Sequence, residues 1–303
     1  MIINIMCGIT CIISKNSLNI LPEIFNSLLQ LQNRGYDSAG IGFINQVNKL
    51  SLLKSICNDK FDSMADLKNN IIDTKDESLM AIAHTRWATH GGISKNNCHP
   101  HFSTNSDIAL VHNGIIENYI EIKTFLLEQG LKFNSETDSE VIVKLIEYNL
   151  WHLENNIELS IKLAISRLKG TYGLAILYVP DKCIFLVKSG SPLILGENNK
   201  YIIACSEESG INNLINHYVK INDNLIYKLT NKSILLLDND RFNKINFNDY
   251  KIFNSEKFVN SICNHTYWTE KEIFEQPKSL SNVLNNGSRI KNNMITLGGL
   301  YKY

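Results

Sequence analysis

Cys7 opens a short apolar run, Cys7-Gly8-Ile9-Thr10-Cys11-Ile12-Ile13-Ser14, behind the stretch Met1-Ile2-Ile3-Asn4-Ile5-Met6. A cysteine is a strong nucleophile only as the thiolate, and with an unperturbed pKa of about 8.5 it needs a base to take its proton. If Cys7 were the first residue of the mature chain, its own α-amine would serve. Free α-amines titrate at about 7.7–8.0, and covalent geometry fixes the amine beside the thiol. An amide attacked by that thiol needs hydrogen-bond donors where the oxyanion develops. Asn113 and the N–H of Gly114 could supply them. If the substrate is itself an amino acid, it also needs a cation for its carboxylate and an anion for its ammonium. Arg86 can form a bidentate clamp on the first, and Asp138 can take the second.

Each of these groups also has an ordinary structural reading. Asn113-Gly114 is the commonest hairpin-turn signal. Asp138 or Ser139 could simply cap a helix. Arg34 and Asp37 could form a surface ion pair. His84 and His112 lie on apolar strands, where a histidine is usually a satisfied core residue. Cys98-His99-Pro100-His101 could hold a metal, but no second pair of ligands accompanies it. Cys11 reads as a small core residue.

The elements that must position these residues follow from apolar periodicity. Cys7–Ser14 is β-branched and apolar and predicts a buried strand. Leu21, Ile24, Phe25, Leu28 and Leu31 fall at helical spacing behind Pro22. Strands are expected at Ala39–Phe43, Leu79–His84 and Ile108–His112, followed by helices at Asn118–Glu128, Ser139–Trp151 and Ile157–Leu168. Further strands are expected at Tyr172–Val179, Cys183–Val187, Tyr201–Cys205, Tyr218–Ile221, Leu225–Leu229 and Ser233–Leu237, and a last helix over EKEIFEQPKSLSNVL. Strands grouped early and late around helices do not alternate as βαβ units. The class is therefore α+β with antiparallel sheets.

Composition narrows the function classes. The 303 residues are 44% hydrophobic and 20% charged, and Lys+Arg and Asp+Glu balance at 30 each, so no net charge draws the chain to nucleic acid or an anionic membrane. No apolar run approaches the roughly 20 residues that span a bilayer. Residues 1–6 have no basic region and no long apolar core, so they do not read as a secretory signal. Seven cysteines without paired spacing predict a reducing, cytoplasmic setting and not a disulfide framework. Neither CxxC nor HExxH occurs, so no metal and no cofactor are expected.

Eight ordered runs carry a family resemblance: MCGI at 6–9, NRGYDSAG at 33–40, AHTRWATHG at 83–91, HPHFS at 99–103, VHNGIIEN at 111–118, SETDSE at 135–140, KSGSPL at 188–193 and KEIFEQP at 271–277. From Met6 onward the chain resembles the class II glutamine amidotransferases, which are N-terminal nucleophile hydrolases. Among them it is most similar to the glutaminase half of the glutamine–fructose-6-phosphate aminotransferases. Asparagine synthetase and the purine-pathway amidotransferase share the cysteine start but resemble it less at TRWATHG, HNGIIEN and EIFEQP.

The resemblance implies a four-layer αββα sandwich of two antiparallel sheets. It implies Cys7 as nucleophile with its free amine as base, and Asn113 and Gly114 as the oxyanion hole. Arg86, Trp87, Thr89, His90 and Asp138 match positions lining a glutamine pocket, and Arg34 and Tyr36 match a motif that orders the site. The loop from Trp87 to about Cys98 matches a lid over bound glutamine. The implied activity is hydrolysis of L-glutamine to L-glutamate and ammonia. On the resemblance, the sugar isomerase half falls outside this sequence and is expected to act as a partner domain with fructose 6-phosphate as acceptor. On this reading residues 1–6 are a leader, removed or untranslated; 7–240 form the amidotransferase domain; and 241–303 are a connector toward the isomerase. The alternative is a non-catalytic glutamine-binding or regulatory module whose N-terminus stays unprocessed.

Overall fold

The alternation of side chains along the first strand sets the layering of the molecule. In β1 (Gly8–Ser14), Ile9, Cys11 and Ile13 point to one face, while Thr10 and Ile12 point to the other. The first set packs against a second sheet and the second set against a helix, so every residue of β1 is buried. The computed structural model describes residues 7–35, 37–57, 62–88, 91–211, 214–238, 241–245, 251–252, 265, 268–283, 290–291 and 294–295. The chain divides into two units, Met1–Val259 and Asn260–Tyr303.

In the first unit β1 is followed by α1 (Leu21–Leu29), β2 (Ser38–Ile44), β3 (Leu50–Ile56), α2 (Ser63–Thr74), β4 (Met80–Arg86), β5 (His101–Phe102) and β6 (Ile108–Ile116). Three helices come next: α3 (Tyr119–Glu128), α4 (Asp138–His152) and α5 (Ile157–Arg167). The remaining strands are β7 (Gly170–Tyr178), β8 (Cys183–Ser189), β9 (Ile194–Glu197), β10 (Tyr201–Cys205), β11 (His217–Lys220), β12 (Tyr227–Leu229), β13 (Ile234–Asp238), β14 (Arg241–Lys244) and β15 (Lys251–Ile252). They form an eight-stranded sheet in the order β15-β11-β9-β10-β1-β4-β2-β3 and a seven-stranded sheet in the order β14-β13-β12-β8-β7-β6-β5. Pairing between these strands is antiparallel throughout.

Three apolar cores separate four layers. Ile9, Cys11 and Ile13 meet Ala109, Val111, Ala175 and Leu177 between the two sheets. Ile12, Ile41 and Ala83, on the outer face of the first sheet, pack on Leu21, Ile24 and Leu28 of α1 and on Met64 and Leu67 of α2. Leu110, Leu174, Ile176 and Phe185, on the outer face of the second sheet, pack on Ile122, Leu126, Ile142, Ile146 and Ile161 of α3–α5. The architecture is the αββα sandwich. α4 is buried along nearly its whole length. Its Lys144 and Glu147 pair at 3.1 Å, and the Glu147 carboxylate accepts the N–H of Thr104 at 2.7 Å, tying the β5–β6 turn to the helix. Satisfying both charges locally is what lets an ion pair sit in that layer.

Every expected strand and helix of this unit is present, within a few residues at each end. β3, α2, β5 and β9 are additional. β3 and α2 lack clean apolar periodicity, and β9 is a four-residue strand held by its neighbours β10 and β11. Strand pairing continues past residue 240, through β14 and β15. In the second unit the described residues form the helix Trp268–Val283, with Pro277 inside it, and a pair of short strands, Ile290–Lys291 and Met294–Ile295. Among the described residues no helix is long and apolar enough to cross a membrane.

Candidate active site

The start of β1, the end of β4 and the second half of β6 meet at one end of the two sheets. β1 and β4 run antiparallel with Gly8 opposite Thr85, so the residues that follow Thr85 pass beside Cys7. Cys7 Sγ accepts the Trp87 N–H at 3.3 Å and lies 3.7 Å from the Trp87 carbonyl. The Gly8 N–H donates to Thr85 Oγ1 at 3.1 Å, and that hydroxyl donates to the Leu31 carbonyl at 3.2 Å. A Cβ on residue 8 would stand 2.6 Å from Leu31 Cβ and 2.7 Å from Thr85 Oγ1, which explains glycine directly after the cysteine. One residue on, the Ile9 N–H donates to Ser206 Oγ at 3.0 Å, and the Ser206 N–H returns a bond to the Ile9 carbonyl at 2.9 Å. The nucleophile candidate is thus held through its own strand from both sides.

Asn113-Gly114 does not form a hairpin turn. Both residues lie inside β6, with Asn113 opposite Gly173 and Gly114 opposite Tyr172 on β7. Gly114 has φ +134°, and a Cβ there would fall 2.0 Å from the Thr171 carbonyl oxygen. Only glycine fits that backbone. Asn113 Nδ2 donates to the Cys7 carbonyl at 2.8 Å, and Asn113 Oδ1 lies 3.0 Å from His84 Nε2.

Asp138 is the first residue of α4, and the cap is Thr137, whose Oγ1 accepts the Glu140 N–H at 3.3 Å. The Asp138 carboxylate accepts the Ile116 N–H at 2.9 Å and the Ser139 hydroxyl at 3.3 Å. Ser139 Oγ is in turn 2.8 Å from His112 Nδ1, which joins the helix start to the strand carrying Asn113. Arg86 is buried. Its guanidinium donates to the Gly91 and Gly92 carbonyls, each at 3.3 Å. Buried Asn97 secures the same loop. Its Nδ2 donates to the Gly92 carbonyl and to Glu136 Oε2, both at 3.0 Å, and its Oδ1 accepts the Glu136 N–H at 3.0 Å. Asp37 accepts the Ala88 N–H at 2.7 Å and so fixes the chain just beyond Trp87.

Behind these groups lie four buried histidines. His84 stacks on His99 with ring centroids 4.1 Å apart and planes 14° apart, and His99 meets His101 edge-on at 4.7 Å. Burial pushes His84 down to about 3, with the nearby Arg86 adding to the effect and the bond to Asn113 opposing it. His99 is also held well below its ordinary value, by burial first and then by the neighbouring histidines. The same holds for His101, by burial first and then by Lys54 and Arg86. For His84, His99 and His101 burial thus favours the neutral ring.

The fold therefore brings Cys7, Trp87, Arg86, Asn113 and Gly114 together, and links Asp138 to them through His112 and Ser139. Tyr36, Thr89, His90 and the Arg34 side chain lie outside the described residues. Sequence reasoning gave no role to Thr85, Asn97, Glu136 or Ser206. Thr85 and Glu136 fall within the matching runs and Asn97 lies two residues before one, but Ser206 carried no signal. His84 was legible only as a core histidine.

Residues 53–268 match the glutamine amidotransferase domain. The chain belongs to the glutamine amidotransferase family. Curated relatives include the glutamine–fructose-6-phosphate aminotransferase (isomerizing) of Wigglesworthia glossinidia brevipalpis. It is 37% identical over 298 residues, which is 97% of this chain and 47% of that protein. The protein of the same name from Chlorobaculum tepidum is 33% identical over 305 residues, 98% of this chain and 48% of its own. The amidotransferase chain thus spans about half the length of the curated relatives it matches. Among solved structures, the glutamine phosphoribosylpyrophosphate amidotransferase of B. subtilis shares the fold with a TM-score of 0.64 and 24% identity, over 78% of this chain and 49% of that one.

Proposed function

We propose that this amidotransferase domain hydrolyses L-glutamine to L-glutamate and ammonia, with Cys7 as nucleophile. The observation that supports this best is the contact between Asn113 Nδ2 and the Cys7 carbonyl at 2.8 Å, which sets an amide donor beside the thiol at a strand end. The α-amine of Cys7 takes the thiol proton as sulfur attacks the side-chain carbonyl carbon of glutamine. The tetrahedral oxyanion is met by Asn113 Nδ2–H and the Gly114 N–H. Collapse breaks the C–N bond, the ammonium on Cys7 gives its proton to the leaving nitrogen, and ammonia departs from a γ-glutamyl thioester. Water then attacks the thioester with the same amine as base, releasing glutamate and restoring the thiol. Arg86 takes the α-carboxylate and Asp138 the α-ammonium, with Trp87, Thr89 and His90 lining the pocket and Arg34 and Tyr36 ordering it. The chemistry requires a free amine on Cys7, so the active enzyme carries no Met6–Cys7 peptide bond.

The relatives' name supports a further step, in which the ammonia passes to fructose 6-phosphate in a sugar isomerase domain acting with this one, in the cytoplasm. Ammonia release from glutamine, measured on protein whose N-terminus is verified by intact mass, tests the core of this reading. Cys7→Ala should abolish turnover while leaving the melting temperature within a few degrees. Turnover retained in that variant, or full activity with Met6 still attached, would rule the mechanism out.

A further inference from the structure

An asparagine amide has an oxygen end that only accepts and a nitrogen end that only donates, and its neighbours decide which end points where. At Asn113 two neighbours decide, the Cys7 carbonyl at the nitrogen end and His84 at the oxygen end. Nε2 of His84 lies 3.0 Å from the His112 carbonyl oxygen, which can only accept, so Nε2 carries the ring hydrogen. The same N–H faces Asn113 at 3.0 Å, so the Asn113 atom on that side is the oxygen. The amino group is thereby turned toward Cys7, where one of its hydrogens goes to the Cys7 carbonyl at 2.8 Å. The second hydrogen of the same amino group is left on the Cys7 side.

A flipped amide would press NH2 against N–H at His84 and oxygen against oxygen at Cys7. The ring cannot relieve this by moving its hydrogen to Nδ1, because a lone pair on Nε2 would then face the His112 carbonyl. The ring's tilt is also constrained. It sits on β4, stacked on His99, whose Nδ1 accepts the His112 N–H at 3.3 Å. His84, His99 and His112 are buried, so a mismatch at the ring is costly.

Building on the assignment of Asn113 to the oxyanion site, we infer that His84 is a positioning residue: its Nε2–H locks the Asn113 amide with NH2 toward the nucleophile. Without that donor only the Cys7 carbonyl still holds the amide, so a larger fraction of it turns its oxygen toward the developing oxyanion, which weakens the transition state and leaves glutamine binding untouched.

The test is a double-mutant cycle on glutaminase activity, using protein with a verified Cys7 N-terminus. His84→Phe keeps a ring on His99 but removes the donor. It should lower kcat by about 10–100-fold with KM within about threefold, a fraction of the 10²–10³-fold expected for Asn113→Ala. In the Asn113→Ala background the His84→Phe loss should disappear, because the residue acts only through that amide. His84→Gln, which regains an amide N–H, should recover most of the activity. If His84→Phe does not fold, the same cycle run with His84→Asn, too short to reach Asn113, decides the matter. A His84 effect that persists in full in the Asn113→Ala background overturns the inference. So does an unchanged kcat for His84→Phe beside a large loss for Asn113→Ala. Wild-type turnover in Asn113→Ala would instead overturn the oxyanion assignment and the inference with it.

Discussion

Acidification from pH 7 to pH 5 should destabilise the first unit by about 2 kcal/mol through His84 alone. The unfolded chain binds a proton on this histidine near its ordinary 6.5, whereas in the fold burial holds it at about 3. Between those values only the unfolded state carries the proton. The stabilising contribution is therefore complete above about 6.5 and is lost progressively as the pH falls toward 3. Each pH unit inside that window costs about 1.4 kcal/mol per histidine that stays neutral. His99 and His101 are displaced in the same direction and steepen the fall. Asp223, held below its ordinary 3.8 by Lys188, responds only at lower pH, whereas Asp107, raised above 3.8 by burial and then by Glu147, acts in the opposite sense at the acid end. Urea unfolding at pH 7, 6 and 5 reads the effect. With a denaturant slope of about 2 kcal/mol per molar, the midpoint should drop by about 1 M or more. His84→Gln should flatten the dependence by its own share. A midpoint that stays within about 0.2 M across the series, or rises toward pH 5, would refute the claim that these rings are buried and neutral.

Gly114→Ala should cost more than about 3 kcal/mol, since its Cβ meets the backbone oxygen of Thr171 and the φ is one that L residues avoid. Calorimetry should show a melting temperature lower by about 10 °C, and an unchanged value would contradict the geometry. Asn97→Ala removes the bonds that hold the Gly92 carbonyl and Glu136, on which the Arg86 setting depends. Steady-state kinetics should show KM for glutamine up about tenfold with kcat little changed, and a loss confined to kcat would argue against that role. Arg86→Lys should raise KM more sharply still, because a lysine cannot reproduce two parallel bonds to a carboxylate. An unaltered KM would show that another group binds the substrate carboxylate.

Much of the candidate site was legible because each of its chemical parts lies in a short run. Cys7-Gly8 at a strand start, Arg86 at a strand end and Asp138 at a helix start are local features, and local apolar periodicity places their elements within a few residues. Asn113-Gly114 was ambiguous for a physical reason. The dipeptide that favours a hairpin turn also suits an interior strand position where a glycine must take φ +134° against a neighbouring carbonyl, and β7 is the partner that selects the second outcome. Asn97 and Glu136 are 39 positions apart and carry no joint pattern, so their contact was invisible until the loop and the α4 entry were side by side.

The histidines mark the same division. Composition and spacing were enough to establish the α+β class, the strands that bury Ile9, Cys11 and Ile13, and the presence of a thiol, a guanidinium, an amide and a carboxylate suited to an amino-acid amide. Whether His84 was filler or a donor aimed at Asn113 depended on β6 packing against β4 and on His99 touching both strands. A ring's tautomer and an amide's orientation are set by whichever donors and acceptors lie within about 3 Å. Those neighbours come from distant parts of the chain, so only the packed arrangement could choose between the two roles.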